Sequence, residues 1–143
     1  MIVTRLTEKA FGICLVVHAG QVDLAGNPYF EHPVHLAEQM DDEATTCAAL
    51  LHDVIEDTDT TLDDLARAGM SDEVVEAVEL LSHKRGVPYM EYIEGLADNP
   101  IARKVKLADL DHNSDLSRLP EVTERDLKRV EKYKRAIDLL KSR

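Results

Sequence analysis

The stretch "AALLHDVIEDTDTT", residues 48–61, decides how the chain is read. Cys47, Ala48, Ala49, Leu50 and Leu51 have the composition of a buried helix, yet a histidine and three acids follow at once: His52, Asp53, Glu56 and Asp57. On a helix advancing about 100° per residue these four share one arc, while Leu51 and Ile55 point to the opposite side. The segment thus has an apolar stripe for a core and a polar stripe for something else. Such a charge run is commonly a solvated face. The adjacent His-Asp pair points further, because imidazole nitrogen and carboxylate oxygen are both ligands for a divalent transition metal.

Composition bounds the answer. With 143 residues, 44% hydrophobic and 31% charged, residues 1–143 fit a single globular domain with one sizeable core. Arg5, Glu8 and Lys9 interrupt the apolar pattern of the first twenty residues, so no signal or membrane-spanning stretch can be drawn, and a soluble, cytoplasmic protein is expected. Cys14 and Cys47 fall on apolar helical faces without metal-ligand spacing, as inert buried thiols do. A formal net charge of −11 disfavours nucleic acid and anionic membrane as partners. It leaves room for a small anionic substrate met by local basic groups.

The rest of the chain reads as helices. Leu6, Ala10, Ile13, Cys14 and Val17 recur at helical spacing up to Gly20. "AGNPYFEHP" is a loop, and Pro33 suits the first turn of a short helix with Val34, Leu36, Ala37 and Met40. Asp41 or Asp42 caps the helix of the opening stretch, which is expected to run to about Asp57. Thr61 with Asp64, and Thr123 with Asp126, resemble capping boxes; Ser71 opens a further helix. Pro88 and Asn99-Pro100 start two more. Leu127, Val130, Ala136, Ile137 and Leu140 form the stripe of the last one. The fold class is all-α, a bundle of about six to eight helices.

A metal site built on His52 and Asp53 needs ligands from other helices. Asp109 breaks "VKLADL" where a core-facing helix should stay apolar, and Asn113 lies one turn on. His32 sits at a helix start, with His35 one turn later as its rival. His18, His83 and His112 read equally well as hydrogen-bonded or surface histidines. Spacing alone does not choose among them.

"HAGQ" (18–21), "NPYFEHP" (27–33), "AALLHDVIEDTDTTLDDL" (48–65), "VKLADLDHN" (105–113) and "RVEKY" (129–133) follow one another in the order and spacing of the HD superfamily. They resemble most the hydrolase domain of Rel/Spo-type proteins and their small single-domain relatives. The resemblance implies an all-helical domain holding one divalent metal ion, usually Mn2+, through His32, His52, Asp53 and Asp109. It implies Glu56 and Asp57 as catalytic acids and Asn113, Arg129 and Tyr133 as substrate-binding residues. The ED pair after HD, in place of further histidines or an HD-x-GK pattern, implies one metal ion rather than two.

The expected function is metal-dependent hydrolysis of a nucleotide phosphate or pyrophosphate through a metal-bound water, with Glu56 or Asp57 sharing a proton with that water. The alternatives are a (p)ppGpp 3′-pyrophosphohydrolase proper and a nucleotide- or metal-binding regulatory module with little turnover. Members that hydrolyse guanosine 3′-pyrophosphates normally carry Arg and Lys after the HxGQ motif. Here Val22 and Asp23 stand there, and Asp23 is expected to repel phosphate.

Overall fold

The computed structural model describes residues 1–143 and contains nine α-helices and a 3-10 turn: α1 (Arg5–Val17), α2 (Glu31–Glu38), α3 (Glu43–Leu51), α4 (Val54–Asp57), α5 (Leu62–Arg67), α6 (Asp72–Leu81), α7 (Tyr89–Leu96), α8 (Pro100–Asn113), the 3-10 turn (Leu116–Arg118) and α9 (Glu124–Lys141). The only β feature is an isolated bridge between Val22 and Pro28, so the all-α reading holds. No helix is long and apolar enough to cross a membrane.

α3 lies at the centre. Every residue from Thr45 to Leu51 is buried, so this helix has no solvent face and its sequence is apolar nearly all round. The small side chains of Cys47, Ala48 and Ala49 let α1, α2, α6 and α8 pack about it. Its two buried threonines are satisfied locally: Thr45 donates to the Asp42 carboxylate and Thr46 to the Asp42 carbonyl, both at 2.6 Å.

The helix ends follow the sequence signals. Asp42 accepts from the Thr45 N–H at 2.8 Å, and both capping boxes, Thr61 with Asp64 and Thr123 with Asp126, close reciprocally. Asn99 accepts from the Ala102 N–H at 2.9 Å with Pro100 in the first turn of α8. After α5 the chain reverses through Gly69 at φ 99°, a left-handed conformation that a side chain would strain.

Two differences from the sequence reading matter for the site. The helix expected to run through to Asp57 stops at Leu51; His52 and Asp53 form a turn before α4. His52 causes the break by bonding back, Nδ1 to the Ala49 carbonyl at 2.7 Å, which satisfies a C-terminal acceptor of α3. Because His52 keeps helical dihedrals (φ −59°, ψ −28°), the four polar residues stay on one side. The second difference is Leu127, assigned to the apolar stripe of α9 but exposed, whereas Asp126 is buried. Asp126 is drawn inward by its contacts with Thr123 and Arg129.

Candidate metal centre and flanking clefts

Three buried side chains from three helical segments meet behind α3: His32 from α2, His52 from the turn after α3, and Asp109 from α8. One ligand atom from each lies within 4.8 Å of the others. His32 Nε2 is 2.8 Å from Asp109 Oδ1, and His52 Nε2 is 3.6 Å from the same oxygen. Asp53 is next to this group without belonging to its tightest cluster. Its Oδ2 stands 3.0 Å from His52 Nε2 and accepts a hydrogen bond from the Tyr29 hydroxyl.

These residues fit a cation. Since His52 Nδ1 faces the Ala49 carbonyl, it carries the proton, and Nε2 is left with a lone pair. That nitrogen is buried, has no hydrogen-bond partner, and looks onto the oxygens of Asp53 and Asp109. The Asp53 contact is short but outside hydrogen-bond geometry. A lone pair against two carboxylates is repulsive until a positive charge enters between them. The electrostatics give the same answer in another form. Burial opposes a charge on His52, yet Asp53 and Asp109 outweigh burial and hold its pKa well above the ordinary value. Two imidazole nitrogens with carboxylate oxygens make a donor set suited to a divalent transition ion, so a divalent metal site is indicated.

The surroundings hold each ligand in place. Burial disfavours the Asp109 carboxylate, but Lys106, then His32 and His52, hold its pKa well below the usual range. Lys106 Nζ, itself largely buried, sits 2.9 Å from Asp109 Oδ2, and Asn113 Nδ2 donates to Asp109 Oδ1 at 3.0 Å. Tyr29, which holds Asp53, packs against His18 at a ring distance of 5.0 Å. His18 in turn meets Gln21 at 2.9 Å, so the "HAGQ" segment props up an Asp53 partner. His112 Nδ1 lies 2.7 Å from His32 Nδ1. His35 is exposed and outside the ligand cluster. The sequence does not single out Lys106 and leaves His112 open; the available signals are the spacings Lys106 to Asp109 and Asp109 to His112, each one helical turn.

Glu56 and Asp57 stand at the solvent side of the centre. Glu56 Oε1 accepts from the His83 backbone N–H at 2.6 Å, which pins it to the loop after α6. For Asp57, burial first, then the charges of Asp53 and Glu56, push the pKa up to about 6. The two acids therefore differ in environment: Glu56 is anchored by a backbone N–H, whereas the Asp57 carboxylate is disfavoured by burial and by its acidic neighbours.

Two clefts meet at the centre. The larger, about 390 Å³, is lined by Val22, Tyr29, His32, Arg118, Arg129 and Tyr133 among others. The smaller, about 220 Å³, is lined by Asp53, Glu56, Tyr89, Lys106, Asp109 and Lys132 among others. Asn113 and Tyr133 line both, so the three residues expected to face substrate all reach a cleft wall. Arg129 is held there by Asp126 at 2.9 Å. Asp23 departs from expectation. Its Oδ1 accepts from the N–H groups of Ala25 and Asn27, both at 2.9 Å, and its Oδ2 meets Arg118 at 3.2 Å. The carboxylate is consumed within its own loop and by a guanidinium, so it is not a free negative charge facing phosphate.

Known proteins resemble this chain in sequence and in fold. A "Probable GTP pyrophosphokinase" of Mycobacterium leprae (strain TN) is 35% identical over 121 residues, 76% of this chain and 15% of that protein. The "Bifunctional (p)ppGpp synthase/hydrolase SpoT" of Escherichia coli (strain K12) is 36% identical over 123 residues, 74% of this chain and 17% of that one. The chain thus spans about a sixth of the length of these relatives. The solved structure of a metazoan ortholog of SpoT, which hydrolyzes ppGpp and plays a role in starvation responses, matches with a TM-score of 0.79 at 25% identity, covering 98% of this chain and 88% of that one. The HD domain family matches residues 10–109. That span begins in α1 and closes on Asp109, taking in both histidines and both aspartates around the centre, and the chain belongs to the HD domain family.

Proposed function

We propose that residues 1–143 act as one HD-type domain hydrolysing a nucleotide phosphate or pyrophosphate, with one divalent metal ion, Mn2+, held by His32, His52, Asp53 and Asp109. The observation that carries this reading is the position of the His32–His52–Asp109 cluster, buried where two clefts meet, each lined by two cationic side chains among acids. Membership of a family whose similar members are named for (p)ppGpp hydrolysis makes guanosine 3′-pyrophosphates the first substrates to test.

When bound, the ion lowers the pKa of water and neutralises phosphoryl charge. The chain's own residues do the rest. Glu56, fixed by the His83 N–H, orients the attacking water. Asp57 takes its proton and returns one to the leaving oxygen, a role matched to a carboxyl near neutrality. Arg129 presents its guanidinium to the substrate in the larger cleft, oriented by Asp126. Tyr133 and Asn113 span both clefts and so contact the substrate on either side of the scissile bond. Apolar Val22, Leu24 and Leu119 on the larger cleft suit a nucleoside, while Lys106 and Lys132 on the smaller suit phosphate.

A panel of nucleotide phosphates and pyrophosphates assayed with Mn2+, scored separately for orthophosphate and pyrophosphate, tests the assignment; no release from any member contradicts it. Glu56→Gln keeps the acceptor for His83 but removes the ionisable group. It is expected to keep the metal and lose activity by about 100-fold, the scale of a misplaced reactant, because the charged group that orients the attacking water is gone; loss of the metal would make Glu56 a ligand.

The pH profile reports on Asp57. A base with a pKa raised to about 6 works above that value and fails as pH falls through it, and a bound cation moves the limb lower still. Wild-type kcat/KM is therefore expected to fall only below about pH 6, and Asp57→Asn to remove that limb along with most of the rate. An unchanged limb in Asp57→Asn assigns the proton elsewhere.

Substrate choice is testable at the loop. Val22 is 66% exposed and lines the larger cleft, whereas Asp23 is needed to close its own turn. Val22→Arg alone is expected to raise kcat/KM for guanosine 3′-pyrophosphates about tenfold, the effect of about 1.4 kcal/mol, by placing a guanidinium at the cleft mouth. No gain would show that the existing arginines already supply that recognition.

A further inference from the structure

We infer that His112 is a positioning residue that fixes the proton of His32 and so leaves His32 Nε2 free to bind a metal ion; the inference rests on the metal-centre reading above. The contact is direct. His32 Nδ1 and His112 Nδ1 are 2.7 Å apart, with the rings 5.0 Å between centroids and 9° from parallel. His32 is buried, and on its far side Nε2 lies 2.8 Å from Asp109 Oδ1.

Two neutral imidazoles in such a contact hold one proton between the facing nitrogens. If His112 donates it, His32 carries its own proton on Nε2, gives it to Asp109, and has no lone pair for a metal. If His32 donates it, Nε2 is a lone pair aimed at Asp109 Oδ1, and the pair of them is a half-built ligand set. His112 is thus the acceptor that permits the metal-binding tautomer. For the other ligand histidine a backbone group does this work: the Ala49 carbonyl can only accept, so in the neutral ring His52 Nε2 is the free nitrogen. His32 has no such carbonyl and depends on a side chain.

The fold supports His112 in this role from two sides. It stands one helical turn after Asp109 on α8, so a single rigid helix sets both the ligand oxygen and the acceptor for the facing ligand nitrogen. His35, one turn after His32 on α2, stacks on the outer face of His112 at 4.1 Å and 25°. The exposed His35 ring thereby covers the acceptor and limits its rotation. This gives "EHPVH" and "DLDHN" a shared logic: His32 and Asp109 bind, and His35 and His112 orient. Outer partners of metal-bound imidazoles act in this way in general, and losing one typically costs about 10- to 100-fold in metal affinity.

Calorimetric titration of metal-free wild type, His112→Phe and His112→Asn with Mn2+ tests the inference. The phenylalanine keeps a ring for His35 to stack on but offers no acceptor; the asparagine offers Oδ1 near the place of Nδ1. His112→Phe is expected to weaken binding about 10- to 100-fold and His112→Asn to recover most of the loss. In the wild type loaded with Zn2+, 15N NMR of the ring nitrogens is expected to show His32 protonated on Nδ1. Equal affinity of His112→Phe and wild type, equal losses in both variants, or a Zn2+-loaded His32 protonated on Nε2 would each overturn the inference. The same spectra keep the test decisive even where a variant fails to fold: His112 is expected to be unprotonated on Nδ1, as the acceptor must be, and a proton on that nitrogen would overturn the inference. Wild type that binds no metal would instead overturn the metal-centre reading itself.

Discussion

A buried imidazole lone pair facing two carboxylates is the constraint on which the rest of this structure turns. His52 Nε2 has no hydrogen-bond partner, and the nearest polar atoms, on Asp53 and Asp109, repel it. Burying such a group without compensation is costly, so the arrangement makes physical sense only around a positive charge. Much of the surrounding fold serves that charge. α3, buried on all sides, delivers His52 and Asp53; α2 delivers His32; α8 delivers Asp109, Asn113 and His112. An ion that joins three helical segments also joins metal binding to stability, because the folded chain binds it and the unfolded chain does not.

Charge around the centre is arranged in pairs. Lys106 answers Asp109, Arg129 answers Asp126, and Arg118 answers Asp23. A chain with a net charge of −11 can therefore still line two clefts with cations: three are fixed by acids that they neutralise, and Lys132 stands over the rings of Tyr89 and Tyr133. Breaking one such buried pair leaves the partner uncompensated, so these arginines and lysines are geometric parts of the site as much as electrostatic ones.

Much of this was legible in the sequence, for identifiable reasons. Capping residues act on their own helix within three positions, so Thr61, Asn99 and Thr123 marked the element starts correctly, and of the two candidates Asp41 and Asp42 the second is the cap. His52 and Asp109 were visible because each is a polar residue interrupting an apolar pattern. What stayed hidden was settled by contacts between distant parts of the chain. Asp23 reads as a phosphate-repelling acid until Arg118, 95 positions later, is seen beside it. His112 reads equally well as a hydrogen-bonded or a surface histidine until α2 brings His32 to its Nδ1, 80 positions away. The break after Leu51 was hidden for a local reason: a histidine ring competing for a helix carbonyl leaves the periodicity of the sequence unchanged.

The measurement that tests the central claim most directly is the metal stoichiometry of purified protein, by elemental analysis after reconstitution with Mn2+, compared with Asp109→Asn. The substitution keeps the shape at position 109 while removing the charge that the ion needs. One ion per chain in wild type, and none retained by the variant, is the result this account predicts. Wild type without metal, or a variant as fully loaded as wild type, would contradict it.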